Sequence, residues 1–464
     1  MAFDVVVIGG GFAGLTAANR AAERGLKPIL LEAGAEELYR CNSRIATGAL
    51  HVASHGPREP AADLLAAIMD ATGGAARRDL AEAMAKNAPA TLDWIESFGI
   101  EFGNHPRRMN GVPMIAPLRE FRAGLDWEGS GPNLFLQLLA EKLVERGGEM
   151  RCGWRAIRIL REDGRIAGVV ADGPLGQETI RAAAVVVADG GFQADPELVG
   201  RHISPAPEKL HRRNAGTGVG DGMRMATGIG AATVGLRTFY GHVLSRDAMD
   251  GNPMLWPYPQ VDVICAQGIV VDPAGRRFAD EGHGGIHVAN EIARLADPLS
   301  ATAVFDSTVW EDARTTDNVP PNPSLPDNGG TVIGAGDIAT LAQRAGIDPA
   351  GLAATVDAFN AGAASLRPRR TTSTYRAQPI RVPPFYAIPL CAGITVTSGG
   401  LAADGKARVL DTEDAPIPGL FAAGSTVGGL EGGPADGYAG GLMKALCLGL
   451  IAGDSVAAAG NREA

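Results

Sequence analysis

Residues 4–32 restrict this chain more than any other stretch. Asp4 leads an apolar run, Val5–Ile8, into Gly9-Gly10-Gly11-Phe12-Ala13-Gly14, and a helical segment then leads to Ile29-Leu30-Leu31-Glu32. The apolar run reads as a buried parallel strand. Gly9, Gly11 and Gly14 have G-x-G-x-x-G spacing at the strand-to-helix turn. The first glycine permits the tight turn, the second lets backbone approach a pyrophosphate, and the third lets helix and strand pack closely. Gly25 ends the helix, and Glu32 closes a second strand, where a carboxylate can accept from a ribose hydroxyl. A lone glycine fingerprint is weak evidence, whereas a complete strand–turn–helix–strand–acid unit indicates a bound dinucleotide. The unit alone does not separate FAD from NAD.

A chain of 464 residues implies two or three domains, and 45% hydrophobic residues can build a sizeable core. The formal charge of −10 argues against nucleic acid and anionic membrane surfaces, but not against a small anion met by local arginines. Cys41, Cys152, Cys265, Cys391 and Cys447 are scattered, so neither a redox pair nor a metal site is indicated. Single cysteines suit a reducing compartment, and the first strand begins too early for a signal peptide, so a cytoplasmic location is expected. The apolar segment 442–456 is interrupted by Lys444 and Asp454 and reads as a buried helix, not a membrane span.

Residues 76–98 read as an amphipathic helix broken near Pro89, and 133–146 as a second helix closed by Gly147-Gly148. Strands follow at 156–162, 165–171 and 179–188, with Asp163-Gly164 as a hairpin turn. Residues 235–380 change texture, being rich in Pro, Asn and Asp, with a short strand pair around Gly275 and a helix near 352–363. Residues 385–464 return to strand, glycine turn and long helix. The expected fold is α/β: a Rossmann-like dinucleotide domain formed by 1–234 and 381–464, with an α+β capping domain at 235–380 inserted in it.

Further blocks then fall in order. They are Asn42-Ser43-Arg44, Thr47-Gly48, Asp189-Gly190-Gly191-Phe192 and the glycine-rich run 217–222 containing Asp221. Gly275-Arg276-Arg277 with Glu281, and Gly424-Ser425 after Pro418, complete the set. In order and spacing the chain resembles, end to end, the flavoprotein subunit family of fumarate reductase and succinate dehydrogenase. The resemblance implies FAD, with Gly9, Gly11, Gly14, Glu32, Asn42, Ser43, Thr47, Gly48, Asp189, Gly190, Asp221, Gly424, Ser425, Gly440, Gly441 and Leu442 around it. Members with covalent flavin carry a histidine where this chain has Asn42, which implies non-covalent FAD. Many relatives carry an acid where this chain has Ser425.

Two departures bear on the chemistry. Gly285 stands where fumarate reductases have a catalytic arginine, and their partner acid and arginine fall near Val261 and Ile264, which cannot move protons. Thr395-Val396 and Tyr438 replace their dicarboxylate-binding histidine and arginine. Pro384-Phe385-Tyr386, Gly393-Ile394-Thr395 and 437–441 instead resemble the soluble dehydrogenase branch, which includes tricarballylate dehydrogenase and the 3-ketosteroid Δ1-dehydrogenases. The resemblance implies desaturation next to a carbonyl or carboxylate of a small or cyclic keto or acid substrate, with an external electron acceptor. The rival readings are the reverse reaction, an ene-reductase, and a flavin-binding electron-transfer subunit without chemistry of its own.

Flavin desaturation needs an oxygen-polarising donor and a base. Tyr438, His242, Tyr258 and Tyr240 are the candidates. His283 and His287 stand near the lost arginine. Arg277 and Glu281 read as a structural pair. Arg44 is balanced between ligand binding and a solvated surface, while Arg119 and Arg122 read as surface residues.

Overall fold

A computed structural model of the chain describes residues 3–104, 111–120, 122–123, 127, 129–362 and 376–460. Val5–Ile8 is the centre of a six-stranded sheet whose order runs Arg408–Leu410, Pro416–Ala422, Ala184–Val187, Val5–Ile8, Pro28–Glu32, Glu149–Cys152. The last five strands are parallel, and Val6 lies opposite both Ile29 and Val185. Val5–Ile8 and Ala184–Val187 are wholly buried, which explains why their sequences are continuously apolar rather than alternating.

The single strand expected at 179–188 is two. Gly176–Arg181 joins a three-stranded antiparallel sheet with Arg155–Glu162 and Arg165–Gly173, and Ala184–Val187 enters the parallel sheet. Burial separates them: the first is exposed except at Ile180, the second buried throughout. Asp163 and Gly164 both have positive φ in the expected hairpin turn. Pro89 does not break its helix, which runs Arg78–Glu96. Ala85, Ala88 and Leu92 around it are buried, and that packing outweighs one lost backbone hydrogen bond. The later helix is Pro349–Gly362, and Ala363 lies outside the described residues.

A second sheet is organised on the long strand Phe385–Thr397. Phe239–Ser245, Thr302–Asp306 and Ile333–Ala335 pair with it antiparallel, and His211–Arg212 pairs with it parallel. Its far end reaches the first sheet's loops, where Thr397 Oγ1 accepts from Phe192 N at 3.2 Å. One strand therefore ties the second sheet to the fingerprint side of the molecule.

Helix Gly441–Gly460 is long and apolar enough to cross a membrane, but it is largely buried here. Its Gly449 and Gly453 meet helix Phe12–Glu23 so closely that added Cβ atoms would fall 2.7 Å from Ala13 O and 2.6 Å from Arg20 Cβ. The two charges that interrupt it are both paired. Asp454 meets Arg20 and Arg24 at the surface, and the buried Lys444 meets Glu431 at 2.9 Å.

Candidate active site

The fingerprint turn is formed as its glycines require. Gly9 has φ +102°, and a Cβ on Gly14 would sit 1.9 Å from Gly9 O. Glu32 closes the turn from the neighbouring strand, one carboxylate oxygen accepting from Gly10 N and the other from Gly34 N, each at 2.7 Å. Burial raises the Glu32 carboxyl above its ordinary range, and these backbone N–H groups partly offset that.

A cavity of about 390 Å³ opens over this turn. Gly9, Gly11, Glu32, Asn42, Ser43, Asp189, Gly190, Asp221, Gly424 and Ser425 all line it. Gly14, Gly48 and Gly440 do not. Gly14 is packed under the turn, and Gly48 and Gly440 hold positive φ against neighbouring backbone. Asn42 spans two segments, donating to Thr395 O at 2.9 Å and accepting from Ala215 N at 2.8 Å. Asp189 accepts from Gly222 N at 2.6 Å; burial pushes its carboxyl up to about 6, and the bonds from Gly222 and Thr426 restrain it. The cavity suits a dinucleotide: helix Phe12–Glu23 has no acid in its first turn to repel a pyrophosphate, and Glu32 keeps lone pairs for a ribose. Replacing Glu32 with Gln is expected to weaken FAD retention on the order of 10-fold, read as flavin lost on dialysis.

A second cavity of about 300 Å³ adjoins the first, and Asn42, Ser43, Val396, Ser425 and Ala445 line both. Tyr240, His242, Tyr258 and Tyr438 all face the second cavity, as do Thr47, Gly441 and Leu442. Tyr240 and His242 lie on strand Phe239–Ser245, where a register shift between Tyr240 and Gly241 re-aims the side chains. His242 Nε2 is 2.9 Å from the Tyr240 hydroxyl, and His242 Nδ1 is hydrogen-bonded to Asp262 Oδ2. Asp262 also accepts from Val243 N at 2.8 Å. Burial alone would raise the Asp262 carboxyl, but the charge and hydrogen bond of His242 outweigh it and hold it below the ordinary value. Asp262 therefore remains a carboxylate and accepts from His242 Nδ1–H, which leaves Nε2 on the side of the Tyr240 hydroxyl.

Asp262 changes one expectation. The stretch around Val261 and Ile264 was read as unable to handle protons, yet Asp262, between them, is hydrogen-bonded to His242. Tyr438 stacks on Tyr240, with ring centroids 3.8 Å apart and planes 15° apart. Its hydroxyl accepts from Gly441 N at 2.6 Å, at the start of helix Gly441–Gly460. Tyr258 is buried, and burial raises its phenol above the ordinary value despite Arg213 and Arg119 nearby, so it keeps its proton.

Other candidates fall elsewhere. Arg44 is buried in the protein, donating from Nε to Tyr39 O and from Nη1 to Asn133 Oδ1, with Tyr39 stacked beneath it. Its role is structural. Arg119, read as a surface residue, is buried and lines the second cavity. His283 and His287 lie outside that cavity, and His287 Nδ1 pairs with Asp436 at 2.8 Å. Arg277 and Glu281 do form a pair, with Glu281 also accepting from Val270 N. The sequence reading missed Asp262, which lies 20 positions from its partner His242. It also missed Glu431–Lys444, which anchors the Tyr438 loop to the helix, since Glu431 also accepts from Ala439 N at 3.0 Å.

A parallel sheet with a dinucleotide turn, adjoining a cavity lined by three tyrosines and by a histidine backed by an aspartate, has the arrangement of a nucleotide-cofactor oxidoreductase. The model of the FAD binding domain family matches residues 4–438, and the chain belongs to that family. It is thus an FAD-dependent oxidoreductase. It is 26% identical over 446 residues to a fumarate reductase (cytochrome) of Shewanella frigidimarina, covering 92% of this chain and 72% of that protein. It is 28% identical over 548 residues to a 4-oxocyclohexanecarboxylate 2-dehydrogenase of Sinomonas cyclohexanicum, covering 98% and 93%. Its fold superimposes on a 3-ketosteroid Δ1-dehydrogenase from Sterolibacterium denitrificans with a TM-score of 0.75 at 20% identity, over 98% of this chain and 99% of that one.

Proposed function

We propose that this chain is a desaturase, acting on a CH–CH group next to the carbonyl of a small cyclic ketone or keto acid. The observation that carries the reading is the Asp262–His242–Tyr240 relay beside Tyr438, in a cavity continuous with the fingerprint cavity. Tyr438 keeps its proton and donates a hydrogen bond from its hydroxyl to the substrate oxygen, polarised by the N–H of Gly441 that it accepts. Tyr240 takes the proton from the carbon beside that carbonyl and passes its own to His242 Nε2, with Asp262 stabilising the imidazolium. FAD, when bound, supplies the two-electron acceptor that receives the β-hydrogen as hydride. Tyr258 stays protonated and holds the substrate by hydrogen bonding. The substrate loses one proton and one hydride and gains a C=C bond, and the electrons leave to an external acceptor.

On this reading the residues proposed for FAD are those listed above, held without a covalent link because Asn42 occupies the attachment position. Residues 235–380 act as the cap, because they carry Tyr240, His242, Tyr258 and Asp262. The dehydrogenase relative supports the direction chosen, since its name describes removal of hydrogen from a cyclic keto acid. The rival direction is reduction of an activated alkene, with the same relay delivering a proton. A subunit without chemistry of its own fits less well with four ionisable side chains converging on one cavity. Deuterium labelling tests the division of labour. A ketone deuterated at the β-carbon should reduce the enzyme more slowly, and α-deuterium should appear in solvent. Absence of any isotope effect from both positions, with binding and transient rates resolved, contradicts the mechanism.

A further inference from the structure

Arg213 lines the second cavity and has no part in the proposed chemistry. Its backbone N–H donates to Ile394 O at 2.9 Å, and next to it Asn214 Nδ2 donates to the same carbonyl at 3.0 Å. The arginine is thus anchored on the long strand of the second sheet. Its Nη1 donates to Thr395 Oγ1 at 2.9 Å, while Nε is buried and has no acceptor. Arg44 makes a useful contrast, with acceptors at both Nε and Nη1. Asp262 is occupied by His242 at one oxygen and by Val243 N at the other, while Asp317 lines the cavity together with Arg213 and Arg119. Arg213 lines the second cavity, so its guanidinium can meet an acceptor on a ligand held there. A guanidinium matches a carboxylate better than it matches a neutral amide.

We infer that the substrate is a cyclic keto acid whose carboxylate is bound by Arg213, while its ketone points to Tyr438. The inference rests on the desaturase reading only for the ketone end. A cavity of about 300 Å³ has room for a single ring with a carboxylate. Arg213 is then the residue that separates keto acids from neutral ketones.

The test uses the FAD-loaded enzyme and cyclohexanecarboxylate, which lacks a ketone, with cyclohexanecarboxamide as its neutral isostere. Binding is read from perturbation of the flavin absorption spectrum, so no turnover is needed. The acid should bind at least about 10-fold more tightly than the amide. R213Q should weaken acid binding on the order of 10- to 100-fold and leave amide binding unchanged, with R213K recovering part of the loss. Equal binding of acid and amide to the native enzyme overturns the inference, and so does an R213Q effect equal on both. If the desaturase reading alone is wrong, acid selectivity persists while cyclic keto acids leave the flavin oxidised.

Discussion

Tyr240→Phe is expected to slow anaerobic flavin reduction by on the order of a thousandfold while leaving ligand binding nearly intact. The phenylalanine ring keeps the stack on Tyr438, so the cavity keeps its shape. What disappears is the hydroxyl 2.9 Å from His242 Nε2, through which the proposed relay meets the substrate. A thousandfold is about 4 kcal/mol of barrier, within the range for loss of a general base. Rapid mixing measures it, because flavin bleaching isolates the chemical step from release of product. Asp262→Asn should fall short of the tyrosine change yet move in the same direction, since it frees the His242 ring to take the wrong tautomer. Tyr258→Phe gives the contrast. Its phenol is held protonated by burial, so its removal should weaken binding more than it slows flavin reduction. If Tyr258→Phe abolishes reduction and Tyr240→Phe does not, the base has been assigned to the wrong tyrosine.

The second large effect is at Tyr438. Tyr438→Phe removes the hydroxyl that meets the substrate oxygen and strips Gly441 N of its acceptor. Loss of one donor to a developing oxyanion costs on the order of a hundredfold to a thousandfold in rate. The α-carbon should also become harder to deprotonate, so solvent exchange of α-deuterium in the reduced, non-turning-over enzyme should slow in parallel with flavin reduction. A variant that keeps its exchange rate but loses reduction would place Tyr438 at the hydride step instead. Because the Tyr438 loop is anchored by the buried Glu431–Lys444 pair, the variant should remain folded with its flavin bound.

The parts of this molecule that could be read before the fold was seen are those whose requirements are local. Gly9 needs positive φ and Gly14 has no room for a side chain, and both demands lie within one turn of chain. Tyr240 and His242 were each legible as candidates, but their pairing came with the strand Phe239–Ser245 that sets them two apart. Their acid was not, because Asp262 arrives at the start of a separate short helix, Asp262–Gln267, and only packing brings it to His242. Burial reverses other readings. Arg44 and Arg119 look like surface residues in a list of charges, and both are enclosed, one satisfied by backbone and Asn133 and the other on the cavity wall. His283 and His287 stand next to the position of the lost arginine in sequence, yet His283, in the turn Glu281–His283, meets Asp280, and His287, on helix Gly285–Arg294, meets Asp436.

One experiment bears most directly on the claim that this chain introduces a double bond beside a carbonyl. The purified FAD-loaded protein is mixed, without oxygen, with a panel of saturated cyclic ketones, cyclic keto acids and the corresponding alkenes. The account predicts that a saturated cyclic keto acid bleaches the flavin and is converted, one molecule per flavin, to the α,β-unsaturated ketone. If no saturated compound bleaches the flavin and an alkene reoxidises the chemically reduced enzyme instead, the chain works as a reductase and the desaturase account is wrong.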